Sequence, residues 1–228
     1  FRVNNYLHLI TGGEYRSNGS DQSYSSISAY GPYSSRPLSS DTIHTNQQAF
    51  FASLLLNIKQ FSGELGGRYN HHSIYGDNFT YSFGPSYLLN NSWKLFANIS
   101  SGYHVPTLYQ LYSEYGNKKL KPEVSASFEQ GIQYFNGDVM ARVVAFQRNT
   151  HDVITFYTDA NYNSFYINED KQKDYGFETE LSAKIIKKLT VNVNYTYVNG
   201  TLHTVNAGKD TAYYNLYRRP KNTFNLDL

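Results

Sequence analysis

The sequence contains no cysteine, one methionine, one tryptophan and six prolines in 228 residues. Without cysteine there is neither a disulfide framework nor a thiolate metal site. Charge is sparse. Asp, Glu, Lys and Arg make up 17% of the chain, against about 25% in ordinary globular domains. The 20 basic and 18 acidic residues leave a net charge of +2, with no basic stripe of the kind nucleic acid requires. The longest nearly apolar run, Ala49 to Leu56, is interrupted by Ser53. A membrane-spanning helix needs about 20 apolar residues in a row, so any membrane contact is made by strands. Phe1-Arg2-Val3-Asn4 opens mid-pattern, with no initiator methionine and no charged-then-apolar leader, and reads as cut from something longer.

What fills the space is aromatic and small polar. Tyr occurs 23 times and Phe 14 times. This composition disfavours a helical bundle, which wants Ala, Leu, Glu and Lys. Strands accept Tyr, Phe, Val and Thr readily. The length suits one all-β domain, and so many aromatics exclude general disorder.

Alternation with a period of two supports this. Leu189, Val191, Val193, Tyr195 and Tyr197 share one face of a strand, and Thr190, Asn192, Asn194 and Thr196 the other. The pattern recurs with Phe61, Leu65 and Tyr69; with Phe79, Tyr81, Phe83 and Tyr87; and with Trp93, Leu95, Ala97 and Ile99. It continues through Phe128, Ile132 and Tyr134, through Val139 to Ala145, and through Tyr175, Phe177 and Leu181. Weaker strands are expected at Leu7 to Arg16, Phe50 to Asn57 and Thr223 to Leu228, making about ten. Phe50 to Leu56 is apolar on both faces, so its orientation stays open.

Connections alternate in length. Short turns fall near Lys59, Asn91, Gly137 and Lys187. Longer segments run from Ser17 to Asn46, His71 to Asp77, Tyr103 to Pro122, Thr150 to Phe165 and Asn199 to Arg219. All the long ones fall on one end. Together with aromatics near strand ends, this is the pattern of an antiparallel up-and-down transmembrane β-barrel. Alternation alone also fits a soluble β-sandwich with tyrosine-rich loops, such as a carbohydrate-binding module. The two differ in whether the apolar faces point outward or inward.

Residues 102 to 135 stand apart. Tyr103-His104-Val105-Pro106-Thr107-Leu108-Tyr109-Gln110-Leu111-Tyr112 is followed by Gly116-Asn117-Lys118-Lys119-Leu120-Lys121-Pro122-Glu123, then Phe128-Glu129-Gln130-Gly131. This resembles the TonB-dependent outer-membrane receptors, whose barrels carry these three stretches in this order. Asn168, Tyr175-Gly176-Phe177-Glu178 and Arg218-Arg219-Pro220 are similar to further family elements. The stretch from Leu108 to Ser113, with Tyr115-Gly116-Asn117, is most similar to the cobalamin-receptor branch.

The resemblance implies that residues 1–228 are part of the C-terminal barrel. About ten strands would then belong to a barrel of about 22, with the plug domain and closing strands outside this chain. It also implies the outer membrane of a Gram-negative bacterium, and uptake energised by a TonB-type protein that engages the missing N-terminal plug. The solute would be scarce and large, a corrinoid first and a ferric siderophore second. Pro106, Leu108, Gly116, Asn117, Pro122, Glu123, Glu129, Gly176 and Glu178 carry the family pattern and read as scaffold. Prolines belong where strand pairing stops, and Gly116-Asn117 is turn chemistry.

Candidate ligand contacts are loop tyrosines, which offer a rigid face and a polar tip: Tyr112, Tyr115, Tyr157, Tyr162, Tyr214 and Tyr217, with Arg218 at the rim. Enzymatic readings find little support. Glu178 and Glu180 would stand roughly 6.5–7 Å apart on one strand face, a glycosidase-like separation, but they read as wall charges paired to Arg or Lys. No nucleophile elbow occurs, adjacent His71 and His72 point apart in a strand, and no calcium-loop spacing is present. No catalytic residue, resident metal or cofactor is expected. The partners are a small-molecule ligand, membrane lipid and the energy-coupling protein. An apolar exterior predicts that the chain stays in solution only with detergent, and a monomer sedimenting freely in plain buffer would contradict it.

Overall fold

In the computed structural model, residues 1–206, 209–213 and 220–228 are described. The chain begins with β1 (Leu7–Gly19), a small hairpin of β2 (Ser25–Ser28) and β3 (Gly31–Ser34), and β4 (His44–Ile58). There follow β5 (Phe61–His72), β6 (Gly76–Leu88), β7 (Trp93–His104), the short helix α1 (Leu108–Tyr112) and β8 (Glu123–Phe135). The last elements are β9 (Val139–Thr158), β10 (Ser164–Ile186), β11 (Leu189–Asn206), β12 (Lys209–Tyr213) and β13 (Asn222–Asp227).

Among the described residues, ten of these strands build one antiparallel wall, in the order β1, β4, β5, β6, β7, β8, β9, β10, β11, β13. Every neighbour in the wall is also the next wall strand in sequence, as an up-and-down meander requires. β12 pairs the upper end of β11, from Leu202 to Asn206, and β13 pairs its lower end, from Asn192 to Tyr197. Among the described residues β1 pairs with no wall strand but β4, so the wall is an open arc rather than a closed ten-stranded cylinder.

The register sorts side chains onto the two surfaces, because residues directly opposite share a face. One row runs Leu9, Leu54, Leu65, Phe83, Ile99, Phe128. A second runs Trp93, Tyr134, Ala141, Leu181, Val193, Leu226. These rows have nothing packed over them. Leu65 is 56% exposed, Phe83 43% and Leu95 41%. Only six hydrophobic residues among those described are buried, and the one other sheet among them is the two-stranded β2–β3 hairpin, so the sandwich reading fails. A single layer with a bare apolar surface is a wall between lipid and lumen.

The register also orients β4. Phe50, Ala52, Leu54 and Leu56 share the lipid face with Tyr69, Gly67, Leu65 and Gly63. Phe51 lies on the other face, where Arg68 sits over its ring at 6.0 Å. Ala49, Phe51 and Leu55 all lie on the lumenal side of β4, Phe51 as partner for a guanidinium, which is why the strand looked two-sided in sequence.

Four turns are tight, as expected. Asn136-Gly137-Asp138, for example, places Gly137 at φ 89°. The long connections differ from the sequence reading. His71 and His72 close β5 and Gly76 and Asp77 open β6, leaving three residues between. β9 continues to Thr158 and β10 starts at Ser164, so the segment from Thr150 to Phe165 is mostly paired strand. β11 likewise extends to Asn206 and β12 pairs back onto it. Above the membrane both faces of a hairpin meet water, so apolar alternation vanishes while the backbone ladder persists.

Lipid and lumen faces predict opposite responses to charge. Ile99→Arg in the full-length protein should cost about 2–4 kcal/mol near the bilayer midplane, read from equilibrium refolding into vesicles. Asn98→Arg, one residue away on the lumenal face, should cost far less; equal costs would contradict the assignment of faces.

Candidate functional site

The loop from Val105 to Pro122 crosses the upper end of the wall. Pro106 ends the β7 ladder. Thr107 then caps α1: its hydroxyl accepts from the Gln110 N–H at 3.2 Å, and the Gln110 side chain accepts from the Thr107 N–H at 2.8 Å. This reciprocal cap starts the helix at Leu108, and the Thr-x-x-Gln spacing was the sequence signal for a helix that period-two reasoning missed. After α1 the chain turns back over its own backbone. A Cβ at Gly116 would lie 2.7 Å from the Leu111 carbonyl carbon and the Tyr112 nitrogen. Glycine is required by this close approach.

Asn117 and Asn168 tie the loop to β10. Asn117 Nδ2 donates to the Tyr166 carbonyl at 3.0 Å, and the Tyr166 N–H donates to the Tyr115 carbonyl at 3.1 Å. Asn168 Oδ1 accepts from the Lys121 N–H at 2.8 Å, while its Nδ2 donates to the Lys121 and Asp152 carbonyls. Leu111 and Leu120 are buried beneath. Pro122 stops pairing just before β8. Glu123 opens β8 by accepting the Ile154 N–H at 2.7 Å and pairing with His104 at 3.0 Å.

Gly176 belongs to the same class: a Cβ there would overlap the Tyr197 carbonyl oxygen. Glu129 and Glu178 face a lumenal hollow of about 370 Å³ together with Arg142, Arg148 and Asp174. Arg148 makes an ion pair of 2.6 Å with Asp174, and Arg142 one of 3.5 Å with Glu180. Glu180 is thus the salt-bridged wall charge expected, whereas among the described residues Glu178 makes no ion pair.

The loop tyrosines separate. Tyr115 lines a rim cavity of about 290 Å³ with Tyr24, Arg36, Tyr109 and Glu114. Its ring packs edge-on against Phe156 at 5.5 Å; Phe156 meets Tyr166 at 5.1 Å, and Tyr166 meets Tyr109 at 6.3 Å. Tyr33, on β3, donates to Glu114, and this hydrogen bond pushes its phenol up to about 12. The small hairpin is thereby latched to the end of α1. Tyr112 terminates α1, with the Lys118 ammonium 5.1 Å above its ring. It lies near Tyr75, whose phenol burial pushes up to about 12.

Tyr157 is a strand residue, packed on Phe165 at 5.7 Å. Tyr162 stands at the tip of the same hairpin at φ 64°, 90% exposed. Tyr214, Tyr217 and Arg218 fall outside the described residues. Sequence reasoning missed Tyr109, Glu114, Phe156 and Tyr166. Tyr109 lies within a family stretch and Tyr166 two residues before Asn168, but nothing in a linear pattern brings β9 and β10 under α1.

Below the rim, His104 borders two lumenal hollows of about 390 and 300 Å³. One adds Glu123, Arg148 and Gln172; the other adds Arg16 and Arg68. Arg68 pairs with Glu14 at 2.8 Å, so the upper lumen is lined by charges already largely matched. The surface above it suits a solute with flat faces and polar edges, held by tyrosine rings and hydroxyls.

The His104–Glu123 pair titrates in a defined sense. The hydrogen bond to Glu123 raises His104, against burial, which lowers it. Burial raises Glu123, but the His104 and Ile154 hydrogen bonds and the His104 and Arg148 charges together bring it below the usual carboxylate range. The raised histidine contributes stability fully below about pH 6.5 and loses it as pH rises through its folded value. The lowered carboxylate contributes above about pH 4.5 and loses it as pH falls through its own folded value. In the folded full-length protein, an NMR titration should place His104 above the ordinary histidine value, and Glu123→Gln should bring it down. An unchanged midpoint would refute the pairing.

Comparison with known proteins accords with this geometry. Residues 1–228 match the family described as TonB dependent receptor-like, beta-barrel. The iron-regulated outer membrane virulence protein of Vibrio cholerae is 28% identical over 194 residues, covering 75% of this chain and 29% of that protein. The siderophore receptor PirA from Pseudomonas aeruginosa superposes with a TM-score of 0.68 at 20% identity, over 93% of this chain and 42% of that one. The copper transporter OprC gives 0.69 at 15% identity, over 87% and 36%. The chain thus spans less than half the length of each of these. The matched family is one of outer-membrane transporters of Gram-negative bacteria, not enzymes. The open arc, its outward apolar rows and its looped rim therefore have a common source: this chain belongs to the TonB dependent receptor-like β-barrel family.

Proposed function

We propose that the protein containing this chain captures a ferric siderophore at its outer rim and passes it inward by TonB-energised uptake. The observation that carries this reading is the tyrosine-lined rim cavity of about 290 Å³ above a polar lumen. Tyrosine rings and hydroxyls suit the aromatic or amide-rich surface of an iron chelate, and the matched charges beneath would let it leave the rim. The names of the relatives, an iron-regulated outer membrane protein and a siderophore receptor, support iron rather than cobalamin. They reverse the order suggested by the cobalamin-like stretch from Leu108 to Ser113. That stretch builds α1 and its cap, a scaffold task that does not depend on the solute. The likeness to a copper transporter warns that the fold alone does not select the cargo.

In this reading residues 1–228 form part of a C-terminal barrel of about 22 strands. The plug domain that meets the energy-coupling protein, and the remaining strands, lie in other parts of the protein. Tyr115 contacts the ligand directly. Tyr162 and Tyr157, on the β9–β10 hairpin, and Tyr112, at the end of α1, flank the approach, with Tyr214, Tyr217 and Arg218 assigned to the same rim.

Titration calorimetry on the full-length receptor tests this with ferric catecholates, ferric hydroxamates and cyanocobalamin as probes. At least one ferric chelate should bind, and Tyr115→Ala should weaken it by about 1–2 kcal/mol, the range for an aromatic contact of this kind. Cobalamin binding more tightly than every chelate would overturn the assignment.

A further inference from the structure

We propose that a groove on the lipid face of β6 to β9 seats a second copy of this protein, docked about a two-fold axis along the membrane normal beside Gln130. The register row Ala97, Gln130, Ala145, Phe177 crosses β7 to β10 on the lipid face. Gln130 is exposed there, between Phe128 and Ile132 on the same face of β8. Its depth follows from Tyr134, four residues down the strand, whose ring packs on Trp93 at 4.9 Å in the lower aromatic girdle. Four residues on a strand tilted by about 40° rise about 10 Å, which puts the amide near the middle of an apolar band about 25 Å tall. The side chain is too short to reach water at either surface from there. Among the described residues nothing hydrogen-bonds its amide. A bare carboxamide in hydrocarbon is costly, and polar side chains at this depth hold membrane segments together.

The surface around the amide is a hollow of about 560 Å³. Pro85, Ala97 and Ala145 line it beside Gln130, with Leu95 and Val143. Small side chains of this kind let two membrane surfaces approach closely. The backbone is irregular in the same place. Phe83 pairs with Ile99 and Ser86 with Phe96 in one register, but among the described residues Gly84 and Pro85 pair with none of β7. Pro85 has no N–H to give. Such backbone is tolerated at membrane depth where protein covers it or water reaches it, and not against open lipid. The lipid face of β4 provides an internal contrast: Ala52, Leu54 and Leu56 carry no polar group there and are laddered without a gap to Gly67, Leu65 and Gly63.

A second copy is the occupant that the amide selects. Every copy inserts in one direction, so Gln130 lies at one depth in all of them. A two-fold along the normal therefore brings two of these amides face to face. A carboxamide is its own complement: each donates one N–H and accepts one, and the pair exchanges two hydrogen bonds. An acyl chain offers neither donor nor acceptor, and an unrelated barrel meets the amide only if it carries a polar group at the same depth. The interface is isologous, so it closes at two copies.

Disulfide capture and single-molecule counting in lipid vesicles test this on the full-length receptor, with any cysteine elsewhere replaced; residues 1–228 contain none. Gln130→Cys should give a covalent dimer on oxidation, because a disulfide needs Cα atoms within about 7 Å. Leu54→Cys, on the lipid face of β4, should give none. Gln130→Leu should weaken self-association about tenfold, the loss of two hydrogen bonds of the strength found between membrane segments. Heat-modifiable mobility on a gel confirms that each variant has folded. Monomers at every density, capture at Leu54→Cys equal to that at Gln130→Cys, Gln130→Leu associating as tightly as the parent, or a lipid or unrelated protein held in place of the second copy would each overturn the proposal. Siderophore binding is read separately, so either proposal can fail without the other.

Discussion

A strand that crosses lipid must pair every backbone N–H and C=O within the sheet, because hydrocarbon offers no substitute partner. This constraint explains why the wall is one layer thick, why consecutive strands are neighbours, and why so few side chains are buried. The structure has no core of the usual kind. Apolar side chains stabilise it from outside, against lipid, and the interior surface is held by pairwise electrostatics such as Arg68 with Glu14 and Arg148 with Asp174. These pairs sit beside a lumen, so they retain water on one side and escape the full desolvation cost of a buried ion pair.

Glycine marks where the layer is tightest. Gly131 lies against the Phe96 ring and the Val143 carbonyl, and Gly176 against the Tyr197 carbonyl and the Phe146 ring. Both are on the lumenal face, where aromatic rings lie flat over a neighbouring strand that has no side chain in the way. The resemblance that picked out Gly176 and Glu178 as scaffold therefore has a direct steric basis at the first of them. The same holds for Gly116, whose neighbour is backbone.

The membrane-crossing part of the fold was legible because lipid imposes a period of two on one face. Leu189 to Tyr197 announced its strand and sorted its two faces, while the choice of which face met lipid came from the loop asymmetry. Legibility failed where that pressure stops. The upper ends of β9 and β10 face water on one side and a packed loop on the other rather than lipid, so residues such as Thr150, Thr155 and Ser164 read as loop although the ladder continues through them. β4 was ambiguous because Ala49, Phe51 and Leu55 face the lumen, Phe51 serving an arginine there rather than lipid. At the rim, tyrosines were recognisable as a class, but which of them meet depends on long-range contacts. Asn117 and Asn168 create the Tyr115–Phe156–Tyr166 cluster from residues separated by up to about fifty positions, and spacing along a strand carries no trace of it.

The strands also differ in reach. β5 to β8 run 12 or 13 residues, while β9, β10 and β11 run 20, 23 and 18. Since all begin from tight turns at the same lower edge, the surplus stands up on one side only. The rim of this arc is thus a parapet with a low side over β5 to β8 and a high side over β9 to β11, so whatever approaches over the low side faces the tall hairpins.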